Sequence, residues 1–266
     1  MIKVLFQGCA YAEFIRYNNY GRLVSAINIA EKIPMQILGM DLQVFSLPVI
    51  TANMFVLSSE GKALMIDPQK NEQARSYLSD NDINEITIIL THEHYDHISG
   101  VNFFREYSKR EGIKCMVYAG SACADALPDP ESNLAKYFEV LFMERTEKER
   151  KLAEKIFEPD YHCEADIRAG DNFELIWQSL KLIFRKTPGH TPGSICIEMY
   201  DDAGNLVALV TGDSLVQGNK VITRLPSGSK RDYREITRPY LESFGPDTLV
   251  LPGHGSVSFM RELELG

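Results

Sequence analysis

The chain has 266 residues, 44% of them apolar and 24% charged, an ordinary globular composition on a chain long enough to bury a core without disulfide staples. Lysine and arginine total 28 against 37 acidic residues, a net charge of −9. That balance argues against a general nucleic-acid coat and against docking on anionic membranes, and no apolar run approaches the roughly 18 residues of a membrane span.

The first residues, Met1 to Gln7, lack a long apolar region followed by a small-residue cleavage site, so no secretion signal is expected. Residues 1–40 read as a separate opening segment. Within it, 22–33 gathers Leu23, Ile27, Ile29, Ala30 and Ile33 near one face, the pattern of a short amphipathic helix that packs on the main body or on a second copy of the chain as a homodimer. From about residue 42 the texture changes to short β-rich runs at 43–49, 54–58 and 63–67, punctuated by Pro, Asn and Gly. A helix is expected over 71–78, a strand covered on both faces over 86–90, a helix over 101–110 and a strand over 114–118. The stretch 132–157 has few breakers and reads as one long helix, its basic residues and glutamates alternating as on a solvated face. Further strands are expected at 173–177, 181–185, 194–199, 206–210 and 248–251, with a helix over 231–244. Consecutive strands with interspersed helices suggest two sheets with helices outside. The five cysteines, Cys9, Cys115, Cys123, Cys163 and Cys196, are odd in number and scattered. They read as buried small hydrophobes of a cytoplasmic, reducing compartment.

The histidines carry the chemistry. Five of the six lie in three compact motifs: Thr91-His92-Glu93-His94-Tyr95-Asp96-His97, Thr187-Pro188-Gly189-His190-Thr191-Pro192-Gly193-Ser194 and Pro252-Gly253-His254-Gly255. A fourth motif, Thr211-Gly212-Asp213-Ser214, adds a carboxylate, and each of the four follows an expected strand. Imidazole and carboxylate together are a metal-binding donor set, and the one-residue gap between His92 and His94 puts both on one side of extended backbone. Glycine and proline around His190 and His254 allow the tight turns of a crowded centre. His162, the sixth histidine, reads as a surface or packing residue.

On these residues the sequence resembles the metallo-β-lactamase superfamily, from about residue 42 to 256. The resemblance implies an α+β fold, a four-layer αββα sandwich with metals at one edge between the sheets; the domain is read as 41–266, with a helical insertion near 121–169 that departs from the family. It implies one metal on His92, His94 and His190, a second on Asp96, His97 and His254, and Asp213 bridging them. Asp67, in Met65-Ile66-Asp67-Pro68, matches the strand-end aspartate that supports the ligands. The cofactors would be two divalent ions, zinc first, with iron or manganese as alternatives. A carboxylate rather than a cysteine at position 213 argues against β-lactam hydrolysis. The segment around His190 is similar to glyoxalase II-like thioesterases and related lactonases, although the chain stops soon after His254, where a typical glyoxalase II carries its glutathione-binding domain.

These features point to a binuclear hydrolase. A metal-bound hydroxide attacks a small acyl substrate (a thioester, lactone or ester), Asp96 orients that hydroxide and handles its proton, and the partner is a small molecule rather than nucleic acid or membrane. Tyr95 is a candidate oxyanion donor, with packing as its other reading. The 121–169 segment offers Tyr137, Phe138, Leu141, Phe142, Met143 and Phe157 as an apolar cover, Phe138 and Phe142 being the candidate acyl contacts. A phosphodiesterase or nuclease of the same superfamily, and a persulfide dioxygenase-like iron oxidoreductase, stand as alternatives.

Overall fold

The computed structural model describes residues 35–46, 52–142, 146–216 and 220–263. Thirteen strands form two sheets among these residues. The first sheet runs in chain order: β1 (Met35–Ile37), β2 (Met40–Ser46), β3 (Asn53–Ser59), β4 (Lys62–Ile66), β5 (Glu85–Leu90), β6 (Lys114–Gly120) and β7 (Ile167–Ala169). Its first four strands are antiparallel, whereas β4, β5, β6 and β7 are parallel. The second sheet contains β8 (Phe173–Trp177), β9 (Leu180–Lys186), β10 (Ile195–Tyr200), β11 (Leu206–Gly212), β12 (Leu249–Pro252) and β13 (Ser258–Phe259). Only β11 and β12 pair in parallel there.

Alternation along the strands sorts their apolar residues into layers. Met54 and Val56 of β3, Met65 of β4 and Ile86, Ile88 and Leu90 of β5 face the helices α1 (Glu72–Asp80) and α3 (Val101–Glu111), meeting Ala74, Leu78 and Phe104. Phe55, Leu57, Leu64, Ile66 and Ile89 point the other way, onto Leu180, Leu182, Phe184, Ile195 and Ile197 of the second sheet. Cys196, Leu209 and Val250 then face Leu241 and Met260 on the outside. Helix, sheet, sheet and helix therefore enclose three apolar layers, the four-layer αββα architecture. Strands buried on both faces explain the unbroken apolar runs at β3 to β5.

The expected strands and most helices keep their places within about three residues, β2 being shifted most, from 43–49 to Met40–Ser46, and the short β7 and β13 are not among those expected; three further differences stand out. The first sheet begins at Met35, so the residues before the described part of the chain are 1–34; the expected helix over 22–33 lies outside the described residues. The stretch 132–157 is not one helix. It divides into a 3₁₀ turn (Ala135–Phe142) and a later helix, after a short α4 (Ser121–Ala126). Buried Asn133 accepts from Ala135 N and donates to Leu127 O and Tyr161 O, and Leu134 adopts φ 62°, which no right-handed helix accommodates. The later helix is α5 (Glu147–Ile156). The third difference is the stretch expected over 231–244. It is split into α6 (Lys230–Asp232), a π turn (Tyr233–Thr237) and α7 (Arg238–Glu242). Pro239 lacks the N–H that the regular ladder needs, and the wider turn precedes it. No described helix is long and apolar enough to cross a membrane.

Candidate metal centre

The two sheets meet at one edge, where the four motifs converge. The parallel strands β4 and β5 end side by side and deliver Asp67 and the Thr91–His97 turn; His97 and Asp96 sit on the one-turn helix α2 (Tyr95–Ile98). From the second sheet, the turns after β9, β11 and β12 deliver His190, Asp213 and His254. Backbone bonds stitch this edge together: Ile195 N donates to Thr91 O at 2.8 Å and Asn53 N to Gly253 O at 2.7 Å. Two glycines are required for the fit. A Cβ on Gly189, at φ 139°, would lie 2.5 Å from Tyr233 Cβ, and one on Gly253 would lie 2.2 Å from Asp213 Oδ1.

Ring and carboxylate atoms fall into two donor groups, His92 with His94 and His190, and Asp96 with His97 and His254, each spanning no more than 4.8 Å. Asp213 lies between them. Its Oδ1 is 3.4 Å from His97 Nε2, and its Oδ2 is 3.5 Å from both His190 Nε2 and His254 Nε2. Asp67 also approaches His92 and His97, but its oxygens are committed elsewhere. Oδ1 accepts from Thr91 N at 2.7 Å, and Oδ2 accepts from Thr91 Oγ1 at 2.6 Å and His97 Nδ1 at 2.9 Å. It is therefore an orienting group.

These bonds fix the ring tautomers. Asp67 accepts from His97 Nδ1, so the neutral His97 ring turns the lone pair of Nε2 inward. Thr91 Oγ1 donates to Asp67, which leaves it an acceptor for His92 Nδ1 at 3.0 Å and frees His92 Nε2 in the same sense. His190 Nδ1 donates to Ile222 O at 2.7 Å, leaving Nε2 as an acceptor that faces His94 Nδ1 at 2.9 Å. His92 Nε2, His97 Nε2 and Asp213 Oδ1 are buried and without a hydrogen-bond partner. Buried polar atoms left unpaired and aimed at one another are the mark of a cation's place, and imidazole plus carboxylate without thiolate suits zinc, iron or manganese.

Electrostatics agree with that reading. Burial, with His97 and His94 nearby, holds His92 well below the ordinary histidine range, and burial lowers His94 to about 3. Burial pushes Asp96 up, but His97 and His254 outweigh it and bring it to about 2. Burial likewise opposes charge on His97 and His254, yet Asp96 and Asp213 raise them to about 9 and about 11. The two carboxylates thus demand positive charge within a few ångströms.

Other expected residues fall elsewhere. Glu93 points away from its histidine neighbours and accepts from Thr191 Oγ1 at 2.9 Å, tying the His92 turn to the His190 turn; burial raises it to about 7. Tyr95 does not present a free hydroxyl for an oxyanion: it donates to Ile156 O at 2.9 Å and accepts from Glu158 N at 3.0 Å. Its ring packs on Phe138 at 4.9 Å, and Phe138 stacks on Phe157. Tyr95 and Phe138 are thus both buried and packed on one another, with the Tyr95 hydroxyl bonded to backbone. The side chain of Phe142 lies outside the described residues. His162 is exposed, with Nδ1 on Asp160 O.

Sequence reasoning missed Thr91 as the hydrogen-bond link between Asp67 and His92 and Ile222 as the partner of His190. The threonine was visible in its motif; a backbone carbonyl has no sequence signal. A cavity of about 430 Å³ borders the two histidine turns at Glu93 and Pro192; its wall also includes Ala122, Ala126, Tyr137 and Pro226, with Asp129 and Glu131 among the other lining residues and no basic side chain among the described residues.

A family model described as the metallo-beta-lactamase superfamily matches residues 47–254. A probable metallo-hydrolase of Bacillus subtilis, YqgX, is 28% identical over 207 residues, covering 77% of this chain and 86% of that protein. Among solved structures, BLEG-1 B3 metallo-beta-lactamase superposes with a TM-score of 0.64 at 23% identity, covering 83% of this chain and 95% of that one. TTHA1623 in a di-iron-bound form superposes with a TM-score of 0.59 at 19% identity, covering 82% and 95%. At these identities the two structures speak for the fold.

Proposed function

We propose that this chain, which belongs to the metallo-β-lactamase superfamily, holds two divalent metal ions and hydrolyses a small acyl substrate: a thioester, lactone or ester. The observation that carries the reading is the set of inward-facing, unpaired atoms His92 Nε2, His97 Nε2 and Asp213 Oδ1, with Asp213 between the two donor groups. His92, His94 and His190 would hold one ion and Asp96, His97 and His254 the other, with Asp213 shared. Zinc is the first choice; the di-iron form of TTHA1623 keeps iron beside it, and manganese suits the same donors.

When bound, the ions supply an acidified water and an electrophilic centre for the acyl oxygen. The chain's own residues do the rest. Asp67 and Thr91 keep His97 and His92 in the tautomers that present Nε2, and the Ile222 carbonyl does so for His190. The Asp96 carboxylate orients the attacking water and takes its proton. We place the acyl group in the cavity that borders the two histidine turns, between Ala122, Ala126 and Tyr137 on one side and Pro192 and Pro226 on the other. The absence of a basic residue among the described residues of its lining, with the net charge of −9, disfavours a nucleic-acid or other polyanionic substrate. The same described residues offer no cation to glutathione carboxylates, so within the glyoxalase II-like branch the reading favours a neutral acyl substrate.

The test is elemental analysis of purified protein together with a hydrolysis panel of thioesters, lactones, β-lactams and phosphodiesters. The expected result is two metals per chain, turnover of an acyl substrate, and its loss on chelation. Turnover confined to phosphodiesters would overturn the substrate class. Ala126→Phe, which fills the cavity, is expected to raise KM for longer acyl chains at least about tenfold more than for acetyl, the scale set by one or two methylenes in an apolar pocket. Equal changes across the series would place the acyl group elsewhere.

A further inference from the structure

We propose that Tyr95 and Tyr161 are positioning residues that clasp the 121–169 segment to both ends of the helix carrying Asp96 and His97, and so set the affinity of the second metal position. The proposal rests on the binuclear reading above and adds a determinant that lies outside the ligand set.

Helix α2 is a single turn, Tyr95–Ile98, entered from His94 without a side-chain cap. One turn does not hold itself in water, because nucleation fixes several residues for the first hydrogen bond. Its own bonds are few: His97 N to His94 O and Ser99 N to Tyr95 O, both 2.9 Å. External bonds therefore decide its place, and two tyrosines supply them. At the start of the turn, Tyr95 Oη donates to Ile156 O and accepts from Glu158 N, both at the end of α5. At its end, Tyr161 Oη donates to Ile98 O at 2.7 Å and accepts from Asn102 N at 3.3 Å. The two rings meet edge to face at 5.4 Å, and Tyr95 also packs on Phe138 and Phe157. Asn133 secures Tyr161 from behind by donating to its carbonyl at 2.9 Å.

Each hydroxyl thus uses its donor and an acceptor on backbone of the opposite segment, and neither tyrosine lines the cavity. The arrangement is selective. Asp96 and His97 ride on α2, whereas His92 and His94 precede it and His190 belongs to the second sheet. Loosening the clasp moves donors of the second position and leaves two of the three first-position donors, His92 and His190, outside the displaced turn.

The experiment compares wild type with Tyr161→Phe, which keeps the ring and removes the hydroxyl. Stepwise cobalt(II) titration of metal-free protein, read by visible absorption, resolves the first and second equivalents. The second equivalent is expected to bind about 10- to 100-fold more weakly, the usual cost of losing a group that orients a ligand, and the first within about twofold of wild type. In metal-free protein, amide exchange at His97 and Ser99 is expected to quicken beyond any change in global stability. Tyr95→Phe tests the other end and serves if Tyr161→Phe does not fold. An unchanged second equivalent, or equal weakening of both, overturns the proposal. A wild-type chain that takes up only one equivalent overturns the binuclear reading, and the exchange rates then decide the clasp by themselves.

Discussion

Asp213→Ala is expected to lose more than about 100-fold in kcat/KM and to retain fewer metal ions per chain after dialysis. The bound follows from a comparison: groups that only orient metal ligands typically cost 10- to 100-fold when removed, and Asp213 faces the centre directly from between both donor groups, with Oδ1 near His97 and Oδ2 near His190 and His254. Removing it also leaves those rings without the carboxylate that balances them. Glu93→Ala is the control on the same motif. Glu93 lies between two proposed ligands in sequence, yet its carboxylate bonds Thr191 and faces away from them. Its loss is expected to cost no more than about tenfold, the lower edge of that range. Equal losses in two folded variants, measured by steady-state kinetics and metal content, would show the ligand set to be wrongly assigned.

Asp67→Asn is expected to weaken both metal positions by about 10- to 100-fold while leaving the fold intact. The argument follows hydrogens. Thr91 N is a fixed donor to Oδ1, so the amide oxygen of asparagine must take that place and its NH₂ the place of Oδ2. The NH₂ then donates to Thr91 Oγ1 and to His97 Nδ1, the two groups that donate to Oδ2 in the native chain. His97 must accept at Nδ1 and carry its proton on Nε2. Thr91 Oγ1, now an acceptor, turns its own hydrogen to His92 Nδ1, which moves the His92 proton to Nε2 as well. One nearly isosteric change therefore reverses two tautomers and points two N–H groups at the place of the cations. Nitrogen NMR of the metal-free variant, recorded above the raised value of about 9 for His97 so that its ring is neutral, reads the tautomers, and zinc competition with a chelator reads the affinities. Native tautomers with native affinity would refute the relay.

The candidate metal-binding residues were legible because their chemistry is local. His-x-His-x-Asp-His constrains its own geometry, and the apolar runs before each motif mark the strands that end there. Asp67 was legible for the same reason, at the end of a short apolar run. The interruption at 133–134 was not, because it depends on Asn133 reaching Leu127 and Tyr161, contacts that exist only once the segment has folded back. The aromatic residues of that segment look alike in sequence, whether they line a cavity or pack a helix. Tyr137 lines the cavity and its neighbour Phe138 is buried against Tyr95. The partner of His190 is a carbonyl, which every residue possesses.

The division of the centre between the sheets has a thermodynamic consequence. His92, His94, Asp96 and His97 hang from the first sheet, and His190, Asp213 and His254 from the second. Neither sheet alone offers a full set for either proposed ion. Metal uptake is then coupled to holding the sheets face to face, and its free energy is linked to closure of the apolar layer between Leu64 and Leu182. An ion present at 100 times its dissociation constant adds about 2.7 kcal/mol to that closure. The linkage runs in reverse as well: whatever loosens the layer between the sheets, far from any histidine, is felt at the edge as a weaker hold on the proposed ions.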